Sequence, residues 1–149
     1  MTALMAQNKG AGKKNRMQEG FRCGMVLESI YGIFIFLVCF IFAKPLMCLF
    51  VQDEEVIMHG VTYLHLISIM YILPAFTNGI QGFFRGIGDL KITLISSLVN
   101  MTVRVIVAAP LVFSLHLGIE ALPYSYLAGW IGMLMAELPL LIRTYKAYE

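Results

Sequence analysis

Four long apolar runs, each almost free of charge and separated by short polar connections, limit what this chain can fold into more than any motif within it. They cover residues 23–43, 56–84, 92–114 and 123–142. Each approaches or exceeds the roughly 20 residues that a helix needs to cross the hydrocarbon of a bilayer. Within lipid only a helix or a closed barrel satisfies its own backbone, and runs of this length predict helices. Hydrophobic residues make up 59% of the chain and charged ones 13%, with a mean hydropathy of +0.79. A soluble core built from 149 residues would not hide that much apolar surface. The expected fold is an all-α integral membrane protein with four transmembrane helices and no room for a separate soluble domain.

Basic residues set the expected orientation. Lys9, Lys13, Lys14, Arg16 and Arg22 precede the first run, Lys44 alone follows it, and Arg85 and Lys91 lie between the second and third. The third connection has no Lys or Arg, and the tail has Arg143 and Lys146. This alternation satisfies the positive-inside rule at every connection if the N-terminus, the central hairpin and the C-terminus are all cytoplasmic. Three or five spans would break it. A multi-pass protein of the cell membrane with both termini inside is therefore expected. Residues 1–22 read as the end of a preceding helix and a basic loop, with Gly10 and Gly12 suited to ending a helix; residues 23–149 read as the four-span region and its cytoplasmic tail.

The net charge of +2 comes from these clusters. It gives no support to nucleic acid as a partner and points to the lipid bilayer. Cys23, Cys39 and Cys48 lack metal-ligand spacing and read as packing residues. The polar leader before the first run suits a retained helix better than a cleaved signal peptide.

Local signals mark the element ends. Asp53, Glu54 and Glu55 favour a helix start. Pro74 is expected to kink the second span and free a backbone carbonyl. Gly86 and Gly88 suit a tight hairpin, with Asp89 placed to cap the next helix. His116, Gly118 and Glu120 mark the last turn.

Three ionisable residues inside the runs need a cause, because each costs about 2.5–3.5 kcal/mol at the centre of a span. Glu28 and Glu137 lie toward the inner ends, where they would face headgroups, pair with Arg22 or Arg143, or couple to protons. Arg104 is deeper, and its charge must snorkel, face a cavity or meet an acid, Glu28 and Glu137 being the candidates within the chain. Thr77, Asn78 and Gln81 follow Pro74 and would either bind a cation or substrate beside the freed carbonyl or bond neighbouring helices together. Tyr31, Tyr63, Tyr71, Phe76 and Phe83 would line a cavity for flat lipophilic compounds or pack against lipid. GAGKKN lacks the spacing of a phosphate-binding loop, and no catalytic triad or metalloprotease motif is present, so no enzyme is expected.

Two segments go further. AQNKGAGKKNRMQEG at residues 6–20 and GFFRGIGDLK at residues 82–91, with LGIEAL at 117–122, together resemble the multidrug and toxic compound extrusion (MATE) family. That family carries a Q-N-x-G-A-G loop and an R-G-x-G-D hairpin at its helix ends. Gln7, Asn8, Gly10 and Ala11 match the first motif; Arg85, Gly86, Gly88 and Asp89 match the second, and both sets imply loop shape and gating rather than drug contact. The resemblance implies a twelve-helix, two-lobe secondary active transporter that exports lipophilic or cationic drugs in exchange for Na⁺ or H⁺, with no other cofactor. It implies that this chain is the end of the eighth helix and the ninth to twelfth, and that its partner is the missing N-terminal lobe. Some branches of the family carry a cation-binding acid in the span before the hairpin, and residues 56–84 contain none. Competing expectations are an exporter of lipid-linked saccharides, a small four-helix proton-coupled multidrug exporter acting as a dimer, and a non-transporting truncated protein or helix-packing partner.

Overall fold

The computed structural model describes residues 1–147, and among these there are helices and connections but no strand. In chain order the helices are α1 (Thr2–Gly10), α2 (Lys14–Ile41), α3 (Ala43–Cys48), α4 (Glu54–Met70), α5 (Ile72–Gly86), α6 (Leu90–Phe113) and α7 (Ala121–Ala147). The expected C-terminal tail is helical through residue 147; Tyr148 and Glu149 lie outside the described residues.

Three helices, α2, α6 and α7, are each long and apolar enough to cross a membrane, and α4 with α5 completes a fourth crossing only as a bent pair. The bend is 49°. Its cause is Pro74, but the break falls earlier, at Tyr71. Proline has no N–H to give to the carbonyl four residues back, Met70, and its ring collides with that carbonyl. The chain yields there, and the Tyr71 N–H turns to Ser68 O at 3.1 Å. Pro74 itself then sits in the first turn of α5, where a missing donor costs little.

α2 begins nine residues before the expected first span, so Lys14, Arg16 and Arg22 are helical rather than part of a loop. Once past these charges its surface is apolar nearly all round. Val26, Leu27, Ile30, Phe34, Leu37 and Ile41 are all exposed, as suits a helix solvated by lipid rather than water. The connection after it holds the short α3, and then Asp53 caps α4 as its charge suggested, its Oδ1 accepting from the N–H groups of Glu55 (3.0 Å) and Val56 (3.1 Å). Asp53→Ala is expected to cost about 1 kcal/mol, read as a lower unfolding midpoint in detergent and as faster amide exchange in the first turn of α4.

The tightest packing lies at the end where α1 meets the hairpin between α5 and α6. Met5, Met17, Ile80, Phe83, Phe84, Ile87 and Ile92 form one buried cluster, with Phe21, Leu134, Leu140 and Leu141 against it. The Phe83 ring meets Phe21 edge-on at 5.1 Å and Phe84 at 5.7 Å. Residues 1–22 therefore do more than the expected loop: Met5 and Met17 are core residues on either side of the turn at Gly12. α6 runs back along α7, while α5 lies between α1, α2, α6 and α7.

Candidate transport site

α5 carries the sequence that gives the bundle a polar interior. Its buried residues include Thr77, Gly79, Gln81 and Gly82, so the helix places amide and hydroxyl groups, and little bulk, against its neighbours. α6 adds Ser96 and Asn100 and α7 adds Glu137, all three buried. Small and polar contacts of this kind hold helices together in lipid, where apolar packing alone gains little.

A cleft of about 240 Å³ opens where the three helices meet, lined by Pro74, Thr77, Asn78 and Gln81 from α5, Ser97 and Asn100 from α6, and Trp130 and Met133 from α7. Thr77 donates to the Pro74 carbonyl at 3.1 Å, and the Asn100 amide reaches Met133 Sδ at 3.4 Å. Asn78 remains exposed. Thr77, Asn78 and Gln81 thus line one cleft together with residues of α6 and α7.

One helical turn beyond Met133 lies Glu137, with no exposed surface. The Gln81 amide donates to Glu137 Oε1 at 3.2 Å. On its other side Gln81 accepts twice from Arg85: Nη2 reaches its side-chain oxygen at 3.2 Å, and Nε reaches its backbone carbonyl at 3.3 Å. A chain of contacts therefore runs from the buried carboxyl, through one amide, to the arginine of the hairpin motif. The suggested pairing of Glu137 with Arg143 is not what forms. Arg143 lines a separate groove with Lys9, Asp89 and Lys91.

The other two ionisable residues lie apart from this cluster. Glu28 lines a groove with Met1, Gly24, Leu27 and Tyr31. Arg104 meets neither Glu28 nor Glu137; its guanidinium lies over the Tyr126 ring, 3.5 Å from the centroid. Cation–π contact with an α7 tyrosine, and close packing of its stem on Gly129, account for its place in the bundle. Of the aromatic residues expected to line a cavity, Tyr31 does so beside Glu28, whereas Phe83 is core.

The two family-motif segments come together at one end. In the first, α1 closes at Gly10, the Ala11 N–H reaches Gln7 O at 3.0 Å, Asn8 Nδ2 donates to Leu4 O at 2.8 Å, and Gly12 turns with φ +66°. In the second, Gly88 at φ +84° lets the Asp89 N–H reach Phe84 O at 2.9 Å, which ends α5. Asp89 occupies the cap position of α6 as expected, but its side chain makes no capping bond. Lys9 Nζ donates to Ile87 O and ties the two segments together. Gly86 is helical, and its use is close approach: α1 passes over it.

Apolar outer faces around a polar interior define a multi-pass helical membrane protein. The chain belongs to the MatE family, the MATE transporters that its loop motifs resemble, whose profile matches residues 1–111. Members of that family are transporters rather than enzymes. It is 25% identical over 135 residues to a probable multidrug resistance protein NorM of Thermotoga maritima, an alignment covering 90% of this chain. The chain spans 28% of the length of that relative. No solved structure matches it at a significant level.

Proposed function

We propose that this chain forms part of the second lobe of a cation-coupled antiporter that exports small lipophilic or cationic compounds across the cell membrane. The observation that carries this reading is the cleft of α5, α6 and α7, where polar side chains gather around the bent crossing and a buried acid lies one turn beyond. Transporter ligand and ion sites are typically built at broken helices, and irregular backbone and polar side chains are tolerated in lipid only where they line a cavity or are covered by protein. The relative from Thermotoga, by its name a multidrug resistance protein, agrees with this substrate class. The hairpin end is assigned to the cytoplasm: Lys9, Lys91 and Arg143 line one groove there, the clustering expected of an inner face. Transport requires a second lobe, against which this one rocks.

Purified chain in vesicles, loaded with a lipophilic cationic dye and given a Na⁺ or pH gradient, is expected to show no export. Adding the N-terminal lobe of a family member is expected to restore gradient-dependent efflux. Efflux from the chain alone would replace this reading with the small dimeric exporter, and a silent two-lobe assembly would remove the transport reading.

A further inference from the structure

We propose that Glu137 is a proton-binding carboxyl of this lobe, taking up and releasing a proton within the bundle at a site built from α5, α6 and α7. What the proton would drive rests on the transport reading; the site itself does not.

Glu137 is the acid among the buried residues described, and none of its surface is exposed. One oxygen accepts from Gln81, and the other, Oε2, meets no donor among the described residues. The Ser96 hydroxyl also faces the carboxyl, and its one proton is directed at Ile92 O at 2.8 Å. A fully buried carboxylate with one amide bond is far from compensated, whereas a proton on Oε2 removes the charge that burial penalises. The charged form is supported by the Gln81 amide and, on the far side of that amide, by the charge of Arg85. Both forms of the carboxyl therefore have a structural basis.

Among the described residues the surrounding elements bring no second counter-charge against the carboxyl. From α5 the facing groups are Gln81 and Arg85, and from α6 Ser96. Lys91 of α6 and Arg143 of α7 line the groove at the hairpin end, and Lys9 of α1 is bonded to Ile87 O. Tyr63 of α4 is grouped with Tyr126 and Arg104, and Glu28 of α2 lines its own groove. A metal cation is a poor fit, since such ions take several oxygen ligands, and the oxygen of the Gln81 amide is already engaged by Arg85. Gln81 also lines the α5–α6–α7 cleft, so the residue that holds the carboxyl borders the space through which a proton would arrive.

The test uses the whole chain in lipid vesicles and dicyclohexylcarbodiimide, which adds to protonated carboxyls in apolar surroundings, with adducts mapped by peptide mass spectrometry. Glu137 is expected to take the label, several-fold less at alkaline than at acid pH, without protection by Na⁺. The adduct disappears from its peptide in Glu137→Gln. Infrared difference spectra between acid and alkaline buffer provide a reading free of reagent access: a protonated-carboxyl band present in the parent and lost in Glu137→Gln. Absence of both the adduct and the band at every pH, or Na⁺ protection of the adduct, would overturn the proposal. Neither readout requires export, so a failure of dye efflux leaves this result standing, and an inert Glu137 leaves efflux to be judged separately.

Discussion

Gly86→Val is expected to lift α1 off α5 and lower the stability of the bundle by about 2–3 kcal/mol, as overpacking a closed contact does. A Cβ built at Gly86 would lie 2.3 Å from Met5 Cβ and 2.7 Å from the Thr2 backbone oxygen. Neither atom can swing aside, because both are fixed to the α1 backbone, so the whole helix must move. Met5 would leave the cluster it shares with Phe83 and Phe84, and the Lys9 bond to Ile87 would go with it. Gly60→Ala provides the contrast. A Cβ there meets Met47 Cε at 2.2 Å and Sδ at 2.7 Å, the far end of a flexible thioether that can adopt another rotamer. Unfolding midpoints in detergent should fall for Gly86→Val and stay close to the parent for Gly60→Ala; equal losses would show that α1 does not pack where the structure places it.

Gln81→Leu should cost about 3 kcal/mol, because it strips a buried carboxyl of its amide donor while leaving the carboxyl in place. Arg85 is exposed and would lose one acceptor, the Gln81 side-chain oxygen, with less consequence, since the backbone carbonyl at 81 remains and water or lipid headgroups can take over. The decisive variant is the double substitution Gln81→Leu with Glu137→Leu. Replacing both members of a buried polar pair with apolar groups of similar size is often close to neutral. The double variant is therefore expected to recover most of the stability lost by Gln81→Leu alone. If the two losses simply add, the residues are not coupled, and the chain of contacts from Glu137 to Arg85 has no energetic weight.

Several features were legible in the sequence because they depend on short stretches of it. Runs of apolar residues marked the crossings, Asp53 marked the start of α4, and the pairs Gly10 with Gly12 and Gly86 with Gly88 marked the two turns, of which Gly12 and Gly88 take the left-handed backbone. Pro74 announced the bend, although the break lies at Tyr71, since proline acts on the carbonyl of the turn before it. The leader was harder to read. Met5 and Met17 stand among polar and basic neighbours, and no window average reveals that a turn at Gly12 folds both onto Phe84. Their spacing around the two glycines was the available signal.

The sequence by itself determined that this chain lives in lipid as helices, and through its two motifs the family to which it belongs. Those properties follow from hydrophobicity and backbone chemistry, which act residue by residue. Only the tertiary structure decided which partners the ionisable residues meet. Glu137 and Gln81 are far apart in the chain, as are Arg104 and Tyr126, and their meeting depends on the rotation of α6 and α7 about their axes and on the bend between α4 and α5. The charged residues stood out in the sequence by their cost in lipid, and their partners did not, because packing between helices sets which faces meet.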